Sequence, residues 1–224
     1  MEKFQEINII YEDNHLLVVI KPANMPVCPD SSSDISLLEK LKEYIKIKYH
    51  KPGNVYLGLV HRLDRPVEGI MVFAKTSKAA ERLSKEITSK EFKKTYYAVV
   101  DGIPPKHGYF EDYLIKNEQT NTSYVTTKDK GKLAKLTYEL IATKDNLSLV
   151  KINLLTGRHH QIRVEFSHHG YPLYGDHKYN KKFINSNKEN IALIAKSLSF
   201  HHPTTKELLE FDYYLPKRYP YTLF

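Results

Sequence analysis

The sequence predicts an α+β protein, and three observations carry that reading. Its apolar runs are short and strand-sized, as at residues 16–20 and 70–74. Helical periodicity appears only in scattered segments, and the strand–helix alternation of a doubly wound parallel sheet is missing. With 224 residues, 41% of them hydrophobic and 27% charged, the chain is long enough to bury a proper core. No linker or internal repeat divides it, so residues 1–224 are expected to form one domain.

The elements follow in order. Residues 6–10, read on through Tyr11, and residues 16–20 form two strands joined by the turn Glu12-Asp13-Asn14-His15. Lys21-Pro22 through Met25-Pro26 breaks regular structure. Residues 31–34 offer helix caps, and Leu37, Leu38, Leu41, Tyr44 and Ile45 recur at helical spacing, giving a helix that runs to about Tyr49. Lys51-Pro52-Gly53-Asn54 ends it. Strands at 57–60 and 70–75 flank a charged segment, and a second helix begins near Ser77 with Ala80, Leu83 and Ile87 on its apolar stripe. Further strands fall at 96–100 and within 109–155, including 133–142 and 147–155 around the turn Asp145-Asn146. Residues 159–169 suggest a short helix closed by Gly170, and 178–190 the longest surface loop.

Composition narrows the function. One cysteine, Cys28, forms no internal disulfide and removes any Cys-based zinc site. The opening residues lack the charged-then-apolar pattern of a leader, and no apolar run approaches the ~18 residues of a membrane helix. A soluble, cytoplasmic protein without a membrane partner is expected. The net charge of +8 suits a polyanionic partner, although a lysine-rich solvated surface explains it equally well.

Three segments carry chemistry-bearing side chains. The first is His61-Arg62-Leu63-Asp64-Arg65. If extended, it turns Arg62 and Asp64 to one side and His61 and Leu63 to the other. An aspartate flanked by arginines stays ionised, which suits a nucleophile or an electrostatic stabiliser better than a general acid. A surface ion pair at a strand end fits the same residues. The second segment is Gly157-Arg158-His159-His160-Gln161-Ile162-Arg163, a cation-rich helix start that could face a phosphate or carboxylate, or simply solvent. The third is Lys94-Thr95-Tyr96-Tyr97, where one tyrosine should enter the core and its neighbour face the other way. The histidine doublets 159/160, 168/169 and 201/202 lack metal-ligand spacing, so no metal is expected.

In combination, His61-Arg62-Leu63-Asp64 with Gly69, Ala74-Lys75-Thr76, Lys94-Thr95-Tyr96, Gly157-Arg158 with His160-Gln161-Ile162-Arg163, and then Gly170, Pro172 and Gly175-Asp176, resembles the RluA-type pseudouridine synthases. The likeness runs from about residue 8 to Pro203, and the opening Tyr11-Glu12-Asp13 into Ile20-Lys21-Pro22 is similar to that family's first hairpin. The resemblance implies a mixed, mainly antiparallel central sheet with flanking helices. It implies Asp64 as the residue that attacks or activates the nucleotide sugar at C1′. Tyr96 stacks on the flipped uracil, Arg163 pairs with the catalytic carboxylate, and Arg62 helps displace the target base. His61, Arg65, Arg158, His160 and Gln161 join Arg62 as substrate-binding candidates. The expected substrate is structured RNA, ribosomal or transfer, presented as a stem-loop to a monomer. The reaction cleaves C1′–N1 of a uridine, turns the base and rejoins it through C5, which needs no cofactor.

This sequence departs from the family pattern in three places. Val67-Glu68 stands where a small polar pair is usual, and Glu68 could repel Asp64 or point into solvent. Glu165 follows Arg163 and Val164 where a histidine is common, and Ile194 also replaces a frequent histidine. The chain is expected to be a bare catalytic domain. A non-catalytic RNA-binding protein on the same scaffold, and a glycosidase-like hydrolase pairing Asp64 with Glu68, are the competing readings.

Overall fold

A computed structural model describes residues 7–186 and 188–224; Glu6 at the expected start of the first strand, and Asn187 in the expected loop, lie outside them. In chain order the elements are β1 (Asn8–Glu12), β2 (Leu16–Lys21), α1 (Leu37–Lys48), β3 (Gly58–Leu59), β4 (Glu68–Ala74), α2 (Ser77–Ser89) and β5 (Lys93–Asp101). They continue with β6 (His107–Asn117), β7 (Thr122–Thr126), β8 (Lys132–Lys144), β9 (Leu147–Leu154), α3 (Gln161–His168), β10 (Leu193–His201) and β11 (Leu208–Asp212), then a 3-10 turn at Tyr221–Leu223. The α+β class is as expected. The chain forms two compact units: one runs to Lys93 and takes back Ser197–Tyr213, and the other comprises Lys94–Lys196 and Tyr214–Phe224.

In the first unit β1 pairs with β2, β2 with β4, and β3 with β4, while β11 pairs with the end of β10, all antiparallel. Leu16, Val18 and Ile20 pack with Ile70, Val72, Phe92 and Phe200 in one cluster, and the alternate residues Leu17, Val19, Met71 and Phe73 are buried too. Burial on both faces is why β2 and β4 read as continuous apolar runs instead of alternating ones. Each such side chain contributes roughly 1.5–3 kcal/mol. Helix α1 is capped by Ser36, not by residues 31–34 as expected. Ser36 Oγ accepts from Glu39 N–H at 3.3 Å while Ser36 N–H donates back to Glu39 at 2.9 Å. Only that serine has a glutamate three residues on and an apolar run behind it.

In the second unit the strand order is β5-β9-β8-β6-β7, again antiparallel. Asp145 and Asn146 both take positive φ at the tight β8–β9 turn, as the sequence suggested. Helix α3 is shorter than expected, starting at Gln161, and its Phe166 packs on Phe110 and Tyr138. Strands β10 and β11 had no counterpart in the sequence reading.

Candidate active site

The expected alternation in the charged segment of the first unit is present. His61 and Leu63 are buried, Arg62 is exposed and Asp64 half-buried. The His61 ring lies against Phe92, and its Nε2 accepts a hydrogen bond from Val72 N–H at 3.1 Å. That ties the ring to the core beside β4, so His61 anchors the segment from its buried side. Arg65 also departs from the simple expectation. Its guanidinium meets Asp30, Ser32 and Asp34, with bonds of 3.3 Å to Asp30 and 2.8 Å to Ser32.

Beneath Asp64 sits Lys21, which sequence reading treated only as part of the hairpin. It is fully buried, and its Nζ donates to the carbonyls of Pro22 and Met25 at 2.8 Å and of Arg65 at 2.9 Å. Three carbonyls match the three N–H bonds of one ammonium. Burial pulls its pKa down to about 7, opposed by the negative fields of Asp64 and Glu68. Lys21 thus fastens the backbone one residue past Asp64. Glu68 opens β4 as a buried residue and contributes to the field at Lys21, so it does not point into solvent.

The second unit holds the other candidates. Arg163 is buried on α3 and grips Asp176 in a fork, Nε and one terminal nitrogen each 2.8 Å from a carboxylate oxygen. Asp176 also accepts from the backbone N–H of Lys178 and Tyr179, and the Arg163 guanidinium lies 5.1 Å from the Tyr179 ring centre. Sequence reading placed Asp176 in a motif but gave it no partner. The signal was Gly175: at φ +70° any Cβ there would come within 2.3 Å of the Asn190 carbonyl oxygen, so the turn before Asp176 demands glycine.

His160 and Gln161 are both tied into the structure of this unit. His160 is the left-handed residue before α3, with its Nδ1 2.7 Å from the Tyr179 hydroxyl and its ring stacked on His159. Burial, with Arg163 nearby, drives its pKa down to about 2, so it is neutral and supplies no cation to a phosphate. Gln161 is buried, accepts from Thr156 Oγ1 and Arg158 N–H, and donates to the Lys135 carbonyl. Arg158 is exposed, with Nε on the Leu133 carbonyl at 2.8 Å. Of the two tyrosines on β5, Tyr96 is buried and Tyr97 half-buried beneath the Lys196 ammonium. Glu165, the departure after Arg163, is wholly buried, and its carboxylate oxygens make no well-formed hydrogen bond among the described residues. Burial raises its pKa to about 8, so it is protonated at neutral pH.

Among the described residues, one set could approach metal-ligand geometry, Glu86, Glu91 and His201 in the first unit, away from the candidate residues in sequence. The scaffold is antiparallel α+β, and each of its two units carries part of the candidate set, Asp64 in the first and Arg163 in the second. The chain belongs to the RNA pseudouridylate synthase family, whose sequence model matches residues 15–168.

Relatives agree. The chain is 34% identical over 221 residues to ribosomal large subunit pseudouridine synthase D of Zymomonas mobilis, covering 94% of this chain and 70% of the relative. It is 34% identical over 207 residues to ribosomal large subunit pseudouridine synthase C of Buchnera aphidicola, covering 89% and 64%. The solved structure of human RNA pseudouridylate synthase domain containing 4 shares the fold, with TM-score 0.79 at 22% identity over 96% of this chain and 91% of the other.

Proposed function

We propose that this isomerase converts uridine to pseudouridine in ribosomal RNA, with Asp64 as the catalytic carboxylate. The observation that supports the assignment is the burial pattern of residues 61–64, which buries His61 and Leu63 and leaves Arg62 exposed and Asp64 half-buried. In the proposed reaction Asp64 attacks or stabilises C1′ as the C1′–N1 bond breaks, the uracil turns, and C1′–C5 forms. C5 loses a proton and N1 gains one, so composition is unchanged and no oxidant is needed. Tyr96 stacks on the turned base, Arg163 supports the carboxylate, and Arg62 and Arg158 contact phosphate, since both are exposed cations. The substrate names of the relatives favour ribosomal over transfer RNA, and a stem-loop is the element sized for this chain. We further propose that residues 1–224 work in the cytoplasm as one monomeric catalytic domain; the family match runs without a break from the first unit into the second.

The test is Asp64→Asn, which keeps the shape and removes the anion. Pseudouridine formation in ribosomal RNA should fall on the order of a thousandfold or more, with the thermal transition unchanged. Turnover near the parent rate would remove Asp64 from the mechanism.

A further inference from the structure

The residue directly after Asp64 is held by a short anionic loop. Residues 29–35 are all exposed and contain two carboxylates, three serines and no cation. The loop is pinned at both ends, because Leu37 N–H and Leu38 N–H donate to the carbonyls of Pro26 and Val27 at 2.8 and 3.1 Å. Within it, Ser32 N–H and Oγ bond Asp30 Oδ1 at 2.8 and 2.6 Å, and Asp34 N–H bonds Ser32 Oγ at 3.3 Å. These bonds gather Asp30 Oδ2, Ser32 Oγ and Asp34 Oδ2 around one guanidinium, that of Arg65. Three oxygens converging on an arginine fork imitate the oxygens of a phosphate diester.

The two parts of Arg65 are held differently. Its carbonyl is fixed by buried Lys21, whereas its side chain is 38% exposed and its acidic partners 40% and 57% exposed. Ion pairs this open to water are weak and exchange partners readily. RNA approaching Asp64 brings phosphates toward an acidic loop that would repel them and an arginine that would attract them.

We propose that the 29–35 loop is a displaceable latch: it occupies Arg65 in the free protein and yields it to a backbone phosphate when RNA docks. This deepens the reading of Asp64 as the catalytic residue and rests on it. The latch favours RNA able to place a phosphate beside Asp64 over RNA that merely touches the basic surface.

The experiment compares the parent protein, Asp30→Asn/Asp34→Asn, Arg65→Ala and the triple variant. Binding to a uridine-containing ribosomal RNA stem-loop is measured across a salt series, with hydrogen exchange of residues 29–35 followed with and without that RNA. The double variant should bind about three- to tenfold tighter, with a log–log salt slope steeper by about 0.7. Most of that gain should vanish in the triple variant, and RNA should speed exchange in the parent loop. Unchanged or weaker binding by the double variant, or slower exchange with RNA, would make the loop a fixed support for Arg65 and overturn the latch. Pseudouridine formation by the parent on the same RNA is scored separately: its absence removes the catalytic reading, while the binding and exchange results still decide whether the loop yields Arg65.

Discussion

Tyr96 and Glu165 each put a chemical group where its surroundings decide what it can do. Tyr96 is buried at the head of β5, so its ring is sheltered and its hydroxyl is the feature a conservative change can isolate. Tyr96→Phe should leave RNA affinity within about twofold and slow isomerisation by roughly 10²-fold or more, if the hydroxyl moves a proton. Tyr96→Ala should also weaken binding, by about 1–3 kcal/mol for a lost stacking platform. Single-turnover rates and filter-binding affinities separate the two effects. For Glu165, the folded protein keeps a proton that the unfolded chain gives up near pH 4.3. The Glu165 contribution to stability should therefore be greatest below about pH 4, fall as pH rises, and level off above its folded value of about 8. Glu165→Gln should erase most of that slope. Denaturant unfolding should place the variant near the parent at pH 4 and more stable by on the order of 4 kcal/mol at pH 8.

Helix α1 and strand β1 meet at Glu12, which accepts from Tyr44 at 2.8 Å, Lys48 at 2.7 Å, Tyr49 at 2.8 Å and Lys75 at 2.8 Å. Burial alone would raise its pKa, but these hydrogen bonds outweigh it and hold the carboxyl at about 2. Its contribution is thus present above about pH 4.3 and lost as pH falls toward 2. Glu12→Gln should cost about 2–3 kcal/mol at pH 7 and progressively less below pH 4, read from urea melts at both pH values. This clamp was not legible in the sequence, because its members are up to 63 residues apart. The same limit hid Asp176 as the partner of Arg163. What was legible is local or periodic: the doubly buried runs of β2 and β4, the stripe of α1, the turn at Asp145-Asn146, and the in-and-out order of residues 61–64. Strand β10 escaped notice because its apolar start, Leu193 to Ala195, is short and gives way to mixed burial. Residue type also does not reveal that His160 meets the Tyr179 hydroxyl, or that Gln161 bonds Thr156, Arg158 and Lys135.

For the whole molecule, a net charge of +8 and a polyanionic substrate make binding an ionic-strength problem. Affinity for a minimal stem-loop should fall linearly on a log–log salt plot, by about 0.7 per single-stranded phosphate contacted. A flat line in an equilibrium titration would shift recognition to a partner protein. The division of the chain has a different consequence, for the order in which the protein can be made. The first unit stops at Lys93 and resumes only at Ser197, and its core cluster needs Leu198 and Phe200 beside Phe92. The second unit likewise waits for Tyr221, which is buried with Val99 and Leu149. Neither unit can close until residues 197–221 have left the ribosome. A nascent chain stopped near Lys196 should therefore present Phe92 and its neighbours to chaperones and proteases, and protection of both units should follow the emergence of residues 197–221.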